Sequence, residues 1–100
     1  MEIEIGLRVY NRGDMANPEH WGTITRIIEN KQFGDQVEIT PEPDAKRKPY
    51  TVYPVMISHV DEGHGGTRIV TERAHEMYRQ KQIERMNAFI NKYQRTEVEK

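Results

Sequence analysis

The residues best equipped for chemistry fall close together at Ser58, His59, Asp61, Glu62 and His64. Carboxylates and imidazoles bind divalent ions. Their spacing here matches no established ligand motif, and Gly63, Gly65 and Gly66 place them in a loop that would hold ligands poorly. Ser58 is the only serine in the chain. A nucleophile needs a base within hydrogen-bond reach, and neighbours on a strand point to opposite faces, so Ser58 and His59 make a poor dyad. Gly63-x-Gly65-Gly66 lacks the lysine and the strand-to-helix setting of a phosphate loop and reads as a turn. His20 and His75 stand alone. The sequence therefore predicts a non-catalytic protein with no metal site and no cofactor.

Binding chemistry is better represented. Tyr10, Trp21 and Tyr53 take outward parity on their strands, with Arg26 near them. Such a group could stack on bases or clasp a peptide or a cation; equally, some of these rings could cover the edge of a small core. Lys46, Arg47 and Lys48 form a basic loop between Asp44 and Pro49, suited to a phosphate contact or simply to solvation. Near the C-terminus, Ile83, Met86, Phe89, Ile90 and Tyr93 recur at helical spacing and form a candidate interface.

Composition narrows the field. A chain of 100 residues is one domain's worth. Its fifteen basic residues against sixteen acidic give a net charge of −1, which argues against binding polyanions by bulk charge. Nucleic acid would need a local patch. With no cysteine, disulfides and thiolate metal sites are excluded, and a reducing compartment is compatible. No apolar run reaches membrane-spanning length, and Met1-Glu2-Ile3-Glu4-Ile5 does not resemble a signal peptide. The expectation is a cytoplasmic protein with no membrane contact.

The elements that must position these residues can be read in order. Ile3, Ile5, Leu7 and Val9 alternate with polar residues, the period of a half-buried strand. Asn11 to Glu19 is a surface loop rich in turn formers. In His20-Trp21-Gly22-Thr23-Ile24-Thr25-Arg26-Ile27-Ile28-Glu29, Ile24 and Ile27 have opposite parity. Burying both demands a bulge near Thr25-Arg26. Gly22 permits close backbone approach. The polar turn Asn30 to Asp35 leads to a strand burying Val37 and Ile39, ended by Pro41 and Pro43. Tyr50 to Tyr53 is β-rich and stopped by Pro54. One short turn and a brief strand follow by Val60, and Thr67 to Val70 is β-rich again.

The loop after the first strand, the Gly22-Thr23-Ile24-Thr25-Arg26-Ile27 segment, the hairpin to Val37-Glu38-Ile39 and the Tyr50-Thr51-Val52-Tyr53-Pro54 stretch together resemble an SH3-like small barrel of the KOW or Tudor type. The resemblance spans residues 1–70. It implies a mostly antiparallel barrel that binds nucleic acids, ribosomal or transcription components, or peptides.

Thr71 is a candidate N-cap with Glu72 at the positive end of the helix dipole, and nothing breaks a helix before Arg95. Ala74, Met77 and Tyr78 form one apolar cluster. The five residues from Ile83 to Tyr93 form another, about 120° further round at 100° per residue. Lys81, Arg85, Lys92 and Arg95 continue the first cluster's face as a cationic stripe. Either the helix bends near Gln80-Gln82 so that both clusters cover the barrel, or the second meets another chain, most simply a second copy in an antiparallel dimer. The expected organisation is a mainly β SH3-like barrel over 1–70, an amphipathic helix over 71–96 and a disordered tail over 97–100. The expected function is binding of a protein or a nucleic-acid-associated complex through barrel aromatics and loops, with the helix giving oligomerisation or a second contact. The alternative is a small phage- or plasmid-type inhibitor that occupies the surface of a host nucleic-acid enzyme or defence complex.

Overall fold

A computed structural model describes residues 3–43 and 51–98, with the backbone alone from 94 onward. Six strands form one curled, mixed sheet, a half-barrel, followed by a single helix. The strands are β1 (Arg8–Asn11), β2 (His20–Ile28), β3 (Gln36–Pro41), β4 (Tyr53–Met56), β5 (Val60–Asp61) and β6 (Ile69–Thr71). They lie in the order β4-β3-β2-β1-β6-β5. The β5–β6 pairing is parallel and the others antiparallel, so the sheet is mixed but, as expected, mostly antiparallel. β4 and β5 are the two edges, and the curl stays open between them.

The inner face carries the core. Val9, Ile24, Val37, Ile39, Val60 and Ile69 are buried together, with Ile3, Leu7, Tyr53, Val55 and Ile57 packed against them. The register shows how far β2 serves this core. Ile24 pairs with Ile39, the ladder then slips between Ile24 and Arg26, and Ile27 comes opposite Val37. One extra residue at Thr25 is the bulge that the parity conflict required and returns Ile27 to the side of Val37, but Ile27 stays 36% exposed and outside the core cluster. Gly22 faces the same core with no room for a side chain: a Cβ there would lie 2.6 Å from Ile39 Cγ2.

Two strand readings are corrected. The first strand begins at Arg8, because Gly6 adopts φ +97° and turns the chain; Ile5 is thereby left exposed, although Gly6 and Leu7 still bond to Ile24 through their backbones. Alternation alone does not register a turn when the turn residues continue the pattern. Pro54 does not stop a strand but lies inside β4, an edge strand where a missing amide is tolerated. The short turn expected after it is a 3-10 turn, Ile57–His59, leading into β5.

The helix α1 (Glu72–Val98) starts directly from β6. The Ala74 amide donates to Thr71 Oγ1 at 3.2 Å, which confirms Thr71 as the N-cap. α1 runs unbroken past Gln80-Gln82 and past residue 96, into the stretch expected to be a tail. It packs chiefly on β1 and β6, the outer side of the sheet.

Candidate functional site

Two of the candidate aromatics join the docking of the helix. Tyr10 and Trp21 are cross-strand partners whose side chains leave the outer face, and their ring centroids are 4.9 Å apart. His75, from the first turn of α1, closes on both, at 4.6 Å from Tyr10 and 5.0 Å from Trp21. Burial, and a hydrogen bond from the Tyr10 hydroxyl to Glu19, push the phenol up to about 12. The cation over Trp21 is Arg8, 4.0 Å from the ring, and not Arg26. Arg8 also holds Glu42 with two parallel bonds, of 2.6 and 3.0 Å, and Glu72 at 2.8 Å. It ties β3's end, β2 and the start of α1 together, and the Arg8 fork keeps the Glu42 carboxyl below its ordinary range. Sequence parity could have shown Arg8, since it shares the face of Tyr10. Arg26 instead pairs with Glu38 at 3.3 Å, beyond the bulge.

Tyr53 points the other way. Its register partner is Ile39, so it stands on the inner face, where burial raises its pKa. His20 Nδ1 lies 3.0 Å from the Pro18 carbonyl, which can only accept, so Nδ1 donates there, and Nε2 lies 2.8 Å from the Tyr53 hydroxyl. Asn11 Nδ2 donates to the same hydroxyl at 3.2 Å. This network lines an open groove of about 790 Å³ between the two sheet edges, with His59 and the Arg68–Asp14 ion pair on its rim. Lys46, Arg47 and Lys48 lie outside the described residues.

The loop that carried the metal-like residues is built around Asp61. The residue is 4% exposed, and its carboxylate accepts from the amides of Gly63, His64 and Gly65 at 2.7–3.0 Å and from the Tyr78 hydroxyl at 2.7 Å. Burial pushes the acid up, but these four bonds prevail and bring it down to about 2. The hydrogen bond to Asp61 in turn raises the Tyr78 phenol. Asp61 thus fastens the glycine loop to the second turn of α1. Among the described residues, no group of three or more His, Cys, Asp or Glu side chains is placed to hold a metal ion.

Beyond Tyr78 the helix leaves the sheet. Every residue from Arg79 to Tyr93 is exposed, so the two apolar clusters have separate fates. Ala74 is fully buried, and Met77 reaches to within 3.2 Å of where a side chain on Gly63 would stand. Ile83 is 39% exposed, Met86 58%, Phe89 70%, Ile90 45% and Tyr93 62%. The bend that would have brought both clusters onto the barrel does not occur. No helix among the described residues is long and apolar enough to cross a membrane. No protein-family model, curated protein or solved structure matches this chain.

Proposed function

We propose that the chain is a non-catalytic binding module, in which the half-barrel anchors the base of a helix whose projecting turns engage a protein partner. One observation carries the reading. Five large apolar side chains share one stripe of the helix and touch none of the sheet's core cluster. An apolar stripe left open to water is the mark of an interaction surface, since it adds nothing to the fold that exposes it. The half-barrel groove around Tyr53, His20 and Asn11 offers a second, more polar contact surface, in place of the outer aromatic face already engaged by His75.

The test compares the wild-type chain with the double variant Phe89→Ser, Ile90→Ser. The reading expects association, measured as mass in solution or as complex recovered from a lysate, to be lost while the melting temperature in dilute solution stays within about 2 °C. A clear fall in melting temperature in dilute solution would show that the stripe belongs to the protein's own packing, and the reading would fail.

A further inference from the structure

We infer that the partner for this stripe is a second copy of the chain, paired antiparallel along the projecting half of α1. The inference rests on the binding reading above and names its occupant. Ile83, Met86, Ile90 and Tyr93 follow one another at spacings of three, four and three residues, the a and d positions of a heptad seam, with Phe89 beside them. The residues bordering that seam, Gln80, Gln82 and Asn87, are all uncharged. Lys81, Glu84, Arg85 and Lys92 fall at outer positions of the same heptad. Two copies can therefore meet along the stripe without bringing these like charges together, whereas a helix laid on an anionic surface by this stripe would turn Lys81, Arg85 and Lys92 away from it.

Direction follows from the pairs each arrangement makes. Antiparallel, with Ile83 opposite Tyr93 of the second copy, Met86 meets Ile90, and the bulky Tyr93 ring meets the smaller Ile83 rather than a second Tyr93. The same register brings Arg79 level with position 97, a glutamate in the sequence. A parallel pair would set Arg79 against Arg79 and position 97 against itself. Opposed helix dipoles favour the antiparallel arrangement as well.

Area is consistent with such a pair. At about 200 Å² of surface for each of the five side chains, their exposures leave roughly 550 Å² per copy to cover, against the ~800 Å² per partner of an ordinary stable interface. The flanking Gln82 and Asn87 add to it. An interface of this size makes a reversible dimer.

Sedimentation across ~1–500 µM protein tests the pair. A dimer at the upper end and a monomer throughout for Phe89→Ser, Ile90→Ser, with a melting temperature unchanged at the dilute end, is the expected result. The absence of native cysteine allows the direction to be read by oxidation. Ile83→Cys and Tyr93→Cys chains, mixed, should form a disulfide-linked heterodimer. Either one alone should not, because like positions then stand about 15 Å apart along the axis. A monomer at every concentration overturns the inference, as does self-linking of Ile83→Cys or failure of the mixture to link. Stripe-dependent binding to vesicles containing anionic lipid by a chain that stays monomeric would assign the stripe to a membrane surface instead. The binding reading fails separately, through loss of melting temperature in the double variant in dilute solution. It survives a monomeric result if the wild-type chain retains a foreign protein that the variant does not.

Discussion

The first two turns of α1 and the turns beyond Tyr78 belong to one uninterrupted helix, yet they meet opposite surroundings. The first half is built into the fold. Thr71 caps it, Ala74 is buried, His75 stacks on Tyr10 and Trp21, and Tyr78 bonds to a buried carboxylate. The second half carries more large apolar side chains than the first and, among the described residues, buries none of them. What separates the halves is position relative to the sheet, since both have helix-forming sequence. Rotation by about 120° between the clusters means that a straight helix docked by one must present the other elsewhere.

The largest effect should come from removing the buried anchor of the docked half. Asp61→Ala strands three amides and the Tyr78 hydroxyl, and should lower stability by about 3 kcal/mol in urea denaturation. Acidity tests the same contact. Because the Asp61 carboxyl is brought down to about 2 from an ordinary value near ~4, its contribution is complete above that ordinary value and is lost as pH falls from there through about 2. Asp61→Asn should flatten that part of the stability–pH curve. An unchanged acid limb would remove Asp61 from the account.

Trp21→Ala comes next. It deletes the ring shared by Arg8, Tyr10 and His75 and should cost about 2 kcal/mol, read by thermal unfolding. Arg8→Lys is milder, at about 0.5–1 kcal/mol, since it keeps the charge and loses the two-pronged grip on Glu42 at a partly exposed site. Smallest of all, Phe89→Ser with Ile90→Ser should shift stability by no more than ~0.5 kcal/mol in the dilute monomer. If that change equalled the effect of Trp21→Ala, the contrast between the two halves would be lost.

Much of this organisation is visible in local sequence. The opposite parity of Ile24 and Ile27 required the bulge that the register contains, Gly22 announced a crowded backbone approach, and Thr71 was legible as a cap. The two clusters of α1 were legible too, being a matter of rotation alone. Other features depend on partners distant in sequence. Tyr53 faces inward because β4 pairs with β3, and Asp61 is structural because Tyr78 and three loop amides reach it; spacing along the chain contains neither fact. The parallel β5–β6 pairing and the open edge toward β4 are likewise consequences of tertiary arrangement. Ile5 failed for a local reason, as Gly6 made a turn where alternation promised a strand.

Amide hydrogen exchange along α1, followed at low and at high protein concentration, tests the division of the helix most directly. The account predicts that residues 74–78 exchange slowly at both concentrations, whereas 83–93 exchange quickly when dilute and gain protection as concentration rises. Protection of 83–93 equal to that of 74–78 in the most dilute sample would contradict it, by showing that the far half of the helix is held by its own barrel.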